Sequence, residues 1–249
     1  MGSSKSKVKA KGGGQSKLMS FILAMEWSQA NRRLLQCPQE CWRWASIELY
    51  GCTRRVLPIH VACVLRPPAT VVEALLDVYP LGAEKCSVSE TVQENASVGA
   101  GDGEDWLPLQ IAIHFFASPE VIEALLSVFP KAAFYRNRAY RLPIHTACRR
   151  RLEKCHWDGI DTKEILEKLL EAYPACAQAE SDDGSTPLDY LEQYNPPGFT
   201  KIPAIKEVKD SIVQVLENKG DRRKVGRLHI RRPSKMNFKA LNDVPDPLR

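Results

Sequence analysis

Leu57-Pro58-Ile59-His60-Val61-Ala62-Cys63 is the stretch that decides how this chain is read, because it returns. It is echoed by Leu107-Pro108-Leu109-Gln110-Ile111-Ala112-Ile113, by Leu142-Pro143-Ile144-His145-Thr146-Ala147-Cys148 and, in shorter form, by Thr186-Pro187-Leu188-Asp189. A proline at the first helical position gives up no hydrogen bond that the helix needs, and a small alanine lets a neighbouring helix come close. Each phrase therefore predicts the start of a helix.

A second phrase follows each of the first three. It reads Val71-Val72-Glu73-Ala74-Leu75-Leu76-Asp77-Val78-Tyr79-Pro80, then Val121-Ile122-Glu123-Ala124-Leu125-Leu126-Ser127-Val128-Phe129-Pro130, then Ile165-Leu166-Glu167-Lys168-Leu169-Leu170-Glu171-Ala172-Tyr173-Pro174. Val72, Leu75, Leu76 and Tyr79 recur at i, i+3, i+4 and i+7, one apolar helical face, and the proline disfavours helix in the residue before it. The first phrases start at 57, 107, 142 and 186; insertions of 15 and 9 residues account for the uneven intervals, and removing them leaves a period of 35. A helix pair of this size cannot bury its own apolar face, so successive pairs must stack.

These phrases resemble the ankyrin-repeat family, whose T-P-L-H-x-A-A motif and later paired aliphatics sit in a repeat of about 33 residues. The resemblance covers roughly residues 50–195. Only Thr186-Pro187-Leu188, preceded by Asp183-Gly184, keeps the family's turn and threonine; leucine in the first three repeats removes a side-chain cap and predicts irregular hairpin turns. The expected fold is all-α, an ankyrin-type α-solenoid of about four repeats with two caps. The amphipathic stretch from Leu18 to Leu35, followed by Cys37-Pro38, is expected to be the second helix of a degenerate leading repeat. Ile202 to Leu216, with Ile205, Val208, Ile212, Val213 and Leu216 on one face, is the expected C-terminal capping helix. The array with its caps spans 18–218, with insertions near 84–105 and 150–161. The insertion from Cys86 to Asp105, rich in serine, glycine and acids, reads as a mobile loop beside Trp106.

In the family's pattern His60 and His145 stand at the histidine that bonds neighbouring backbone, which implies a structural rather than a catalytic role. No nucleophile elbow, phosphate loop or convergent acid cluster is present, so neither an enzyme nor a cofactor is expected. Cys63 and Cys148 fall at equivalent helical positions, where cysteine is a small hydrophobe, and a reducing compartment is favoured over a disulfide framework. Cys37 and Cys41 lack a second pair at zinc-finger spacing, so no metal is expected.

Of the 249 residues 44% are hydrophobic and 26% charged, which excludes a disordered chain. The longest apolar run, Leu18 to Met25, is too short to span a membrane and runs into Glu26 where a signal peptide would end. The net charge of +5 conceals an asymmetry. Residues 1–25 carry five lysines and no acid; residues 219–249 carry ten basic and three acidic side chains; the middle is acidic, with 20 basic against 27 acidic residues.

Met1-Gly2-Ser3-Ser4-Lys5-Ser6-Lys7 fits the acceptor pattern for N-myristoylation at Gly2 and resembles the membrane-anchoring start of Src-family tyrosine kinases. One myristoyl chain binds membranes with only about 10⁴ M⁻¹, and Lys5, Lys7, Lys9, Lys11 and Lys17 in the flexible segment 1–17 would supply the second signal. The tail 219–249 reads as disordered and basic; it lacks interleaved aromatics apart from Phe238, which argues against base stacking, and Arg231-Arg232-Pro233-Ser234 makes Ser234 a candidate phosphorylation site. The expected protein is a monomeric, non-catalytic scaffold at the cytoplasmic face of a membrane, the alternative being a nuclear or nucleic-acid-associated adaptor acting through the tail. In the third repeat Arg136, Arg138, Tyr140, Arg141, Arg149, Arg150 and Arg151, with Trp106 nearby, form the candidate docking face for an acidic partner segment.

Overall fold

The computed structural model describes residues 8–10, 15–49, 52–89, 106–137, 140–149, 160–194, 210 and 212–213. The chain is mostly helical. It runs through strand β1 (Val8–Ala10), helices α1 (Lys17–Leu23) and α2 (Trp27–Gln36), strands β2 (Ala45–Leu49) and β3 (Cys52–Val56), helices α3 (Pro58–Val64) and α4 (Ala69–Val78), and strand β4 (Val88–Ser89). Helices α5 (Pro108–His114), α6 (Pro119–Val128), α7 (Pro143–Cys148), α8 (Ile160–Ala172) and α9 (Pro187–Tyr194) follow.

The helices form two rows. In one, α1, α3, α5, α7 and α9 each pack on the next; in the other, α2, α4, α6 and α8 do the same, so every helix pair leans on its neighbour. The core is the seam between the rows. Leu57, Leu107 and Leu142, at equivalent points of the repeated phrase, are all but inaccessible, as are Ala62, Ala112 and Ala147 where adjacent helices meet. In the outer row Leu75, Leu125 and Leu169 point inward, while Glu73, Asp77, Glu120, Glu123 and Glu171 face solvent.

The ends of the helices repeat as well. Tyr79, Phe129 and Tyr173 leave the outer helices in the same extended conformation, φ −141°, −133° and −147°, because the next residue is proline, and a short 3-10 turn then begins at Pro80, Pro130 and Pro174. Inner helices close differently: Met25 (φ 58°), Arg66 (φ 54°) and Phe116 (φ 63°) each take the left-handed region one residue past the helix cap. After α1 and α5 the next N–H bonds back to the helix, Glu26 to the Phe21 carbonyl and Ala117 to the Ala112 carbonyl, both at 2.9 Å. After α3 that position is Pro67, which has no N–H to give.

Four features differ from the sequence reading. Leu18 to Leu35 is a complete helix pair rather than one helix, since Met25 in the left-handed region turns the chain between α1 and α2. Beside the helices lies a four-stranded antiparallel sheet in the order β1-β2-β3-β4, which the 35-residue period does not encode. Its central hairpin carries a period-2 pattern, Ile47 and Val56 buried, Glu48 and Arg55 exposed, but the runs are too short to stand out beside helical phrases. Val8–Ala10, inside the segment expected to be flexible, pairs with Leu49–Ile47 and sets Lys9 opposite Glu48. The insertion expected as a loop from Cys86 begins as structure: Cys86 and Ser87 are buried, and Val88–Ser89 pairs with Arg54–Arg55. Its remainder, 90–105, lies outside the described residues. Of the expected capping helix only Asp210, Ile212 and Val213 are described; they are helical, and Ile212 is fully buried.

Candidate functional site

The repeated phrases place one polar side chain per helix pair at the fourth position, and three of the four do the same work. His60 accepts the Leu57 N–H on Nδ1 at 2.9 Å and, through Nε2, donates to the Lys85 carbonyl at 2.8 Å. Gln110 accepts the Leu107 N–H at 3.2 Å and donates to the Tyr135 carbonyl at 3.3 Å. His145 accepts the Leu142 N–H at 3.0 Å and donates to the Ala179 carbonyl at 2.9 Å. Lys85, Tyr135 and Ala179 all stand at the exit of a 3-10 turn, so each bond clamps the start of a helix pair to its end. The leucine's own backbone N–H is thereby satisfied from the third helical residue, the half of a capping box that needs no polar side chain at the cap. Burial pushes the imidazoles of His60 and His145 down to about 4, so both stay neutral near pH 7 and unsuited to acid catalysis there. In the fourth phrase Asp189 instead accepts from both the backbone and the hydroxyl of Thr186.

The proposed docking face around α7 is partly occupied from within. The half-buried Arg136 guanidinium donates to the carbonyls of Tyr140 and Glu180, both at 2.6 Å, joining the loop before α7 to the loop before α9. Arg141 donates from Nε to the Tyr190 hydroxyl at 3.2 Å and lies 5.8 Å from that ring's centre. The Tyr190 hydroxyl in turn donates to Asp183 at 3.0 Å, while the Ser181 hydroxyl and the Ser185 N–H donate to the other carboxylate oxygen. These bonds, the Ser181 hydroxyl first, hold Asp183 well below the usual carboxylate range. Arg136 and Arg141 are thus internal ties in this structure. Tyr140 takes φ 54° at the tip of a turn closed by Asn137 and Arg141, and both it and Arg149 are half-exposed. Arg138, Arg150 and Arg151 lie outside the described residues.

Trp106 is half-buried; its ring meets that of His114 edge-on at 4.6 Å, and Phe115 lies 6.5 Å away. No protein-family model matches this chain, and no curated protein matches it either. Among the described residues no group of three His, Cys, Asp or Glu side chains is placed to hold a metal, and no described helix is long and apolar enough to cross a membrane. Cys63 and Cys148 are free and fully buried, and burial pushes the Cys63 thiol up to about 12, which makes it inert. Gly2, Lys5, Lys7, Lys11 and Ser234 lie outside the described residues; Lys17 opens α1 and is exposed.

The first helix pair has a polar arrangement of its own that sequence reading passed over. Glu40, buried on the turn after α2, accepts the Leu18 N–H at 2.7 Å at the start of α1 and is paired with Arg33. Burial alone would raise its pKa, but the Arg33 hydrogen bond, the Leu18 N–H, the Arg33 charge and Ser16 together bring it below the ordinary carboxylate value. Beside this pair Lys17, Phe21, Gln29, Arg32, Arg33 and Gln36 line an open cleft of about 260 Å³. The legible signal was an acid-free run: neither α1 nor α2 contains an aspartate or glutamate.

Proposed function

We propose that this chain is a non-catalytic interaction module: an ankyrin-type solenoid that docks a protein partner and is held at the cytoplasmic face of a membrane by acylation of Gly2. The observation that carries the array half is the clamp made by His60, Gln110 and His145, which holds loops of different sequence at regular intervals on a rigid frame. A frame of this kind suits recognition, because the loops are free to vary while their spacing is not. With Arg136 and Arg141 committed internally, the docking face rests on Tyr140 and the neighbouring Arg138, Arg150 and Arg151, with Trp106 at its border. An acidic segment complements it. The membrane half rests on Gly2 and the lysines that follow.

Two measurements test this reading. Intact-mass analysis of protein expressed in eukaryotic cells is expected to show one added myristoyl group, lost in Gly2→Ala together with sedimentation in the membrane fraction; an unmodified N-terminus would overturn the anchor. Replacing Arg138, Arg150 and Arg151 by glutamate is expected to abolish capture of partner from lysate while the melting temperature holds. Unchanged capture would remove this face.

A further inference from the structure

The cleft between α1 and α2 lies at the open end of the stack, on the side of these helices away from Leu18, Met19, Ile22, Ala30 and Leu34, which pack into the core. Arg33 is neutralised there by Glu40. Lys17 and Arg32 are exposed and have no ion-pair partner among the described residues, so the cleft keeps two uncompensated positive charges. Gln29 and Gln36 add amide donors, and Phe21 supplies an apolar wall. Three residues beyond Arg32, Leu35 is 86% exposed, more than any other large hydrophobic side chain among the described residues.

We propose that this cleft binds the phosphate headgroup of an anionic phospholipid, with Leu35 entering the interface beside it, so that the array stands end-on to the membrane. The proposal rests on the membrane half of the function above and specifies which surface meets the bilayer. Charge decides the orientation: the outer row presents Glu73, Asp77, Glu120, Glu123 and Glu171, which an anionic leaflet repels, whereas α1 and α2 carry Lys17, Arg32 and Arg33 and no acid, with Glu26 confined to the turn between them and Glu40 buried against Arg33. A cation–phosphate contact with an exposed leucine alongside is the combination that interfacial binding requires, electrostatic attraction plus apolar area. End-on attachment leaves the loops before α7 and α9 directed along the side of the stack and accessible to a partner.

The test uses the full chain in a Gly2→Ala background, so that no acyl group contributes, with vesicles of phosphatidylcholine alone or mixed with phosphatidylserine at about 0.1 M salt. Binding is expected only to the mixed vesicles. Arg32→Gln should weaken it about fivefold and Arg32→Glu about thirtyfold, because each unit of charge near an anionic surface contributes about 1 kcal/mol and the second substitution changes two. Lys131→Glu, the same change of charge on a distant exposed turn, should weaken it less than about twofold. Leu35→Ala should weaken binding without altering its salt dependence. Melting temperatures of the four variants report folding separately. Equal effects of Arg32→Glu and Lys131→Glu, or equal binding to both vesicle types, would overturn the cleft. Failure of the anchor reads out elsewhere, as identical binding of wild-type and Gly2→Ala protein from eukaryotic cells to neutral vesicles.

Discussion

His60 and Gln110 make the same two hydrogen bonds: each accepts the N–H three residues before it and reaches the carbonyl 25 residues after it. His145 does so across 34 residues, the nine-residue insertion in its repeat making the difference. An amide and a neutral imidazole are interchangeable here because each offers one acceptor and one donor with nearly the same reach. Protonation separates them, since imidazolium has no acceptor left for the leucine N–H.

Acid sensitivity follows from that difference. Burial lowers the folded-state value of His60 and of His145 from 6.5 to about 4, so the unfolded chain binds more protons between those limits. Their contribution is complete above pH 6.5, declines as pH falls toward 4, and amounts to a loss of about 2 kcal/mol per histidine at pH 5. His60→Gln with His145→Gln should leave stability at pH 7.5 within about 1 kcal/mol of wild type and remove most of the loss at pH 5. Urea unfolding at the two pH values checks this, and an unchanged pH dependence would assign it to other groups.

Gln110→Ala should destabilise by about 2–3 kcal/mol, because it strands the buried Leu107 N–H and Tyr135 carbonyl and leaves a void. Gln110→His should be tolerated at neutral pH and add a further acid-sensitive step. Thermal melts at pH 7.5 and 5 of the two variants distinguish side-chain volume from hydrogen bonding.

Met25→Gly should raise stability by about 1 kcal/mol. Met25 holds φ 58° with its side chain half in solvent, so glycine relieves the left-handed strain and gives up little packing. Phe116→Gly, at the equivalent position, should be destabilising instead, because the ring is half-buried and the Arg66 guanidinium lies 5.4 Å from its centre. Equal effects of the two substitutions in chemical denaturation would mean that the side-chain contacts of Phe116 do not distinguish the two positions.

Tyr190→Phe should cost about 1–2 kcal/mol, since it removes the hydroxyl shared by Arg141 and Asp183. Arg141→Glu should lower the melting temperature by a comparable or larger amount, in contrast to the silent Arg138, Arg150 and Arg151 substitutions. Calorimetry compares the two sets; an Arg141→Glu protein as stable as wild type would return that arginine to the surface available to a partner.

The helices from Pro58 to Tyr194 and their order were legible from sequence, because proline at a helix start and apolar spacing of three and four residues are local signals that recur along this stretch, whereas the first pair was read as a single helix. The structural role of His60 and His145 was legible too, through the repeat, but Gln110 was not, because its equivalence to histidine exists only in the bonds it makes. The sheet escaped because cross-strand pairing joins segments far apart, as Val8 to Leu49 and Arg55 to Val88, and short strands leave little periodicity. The arginines of the proposed docking face show the same limit. Sequence placed seven residues near α7, but only packing decided that Arg136 turns to Glu180 and Arg141 to Tyr190, since the groups that receive them lie more than forty residues further on. Likewise the cleft of Lys17 and Arg32 depends on two helices folding back on each other at Met25, a left-handed turn that methionine does not announce. Local composition thus specified which segments are helical, whereas the partner of each charged side chain was settled by contacts that form only when the pairs stack.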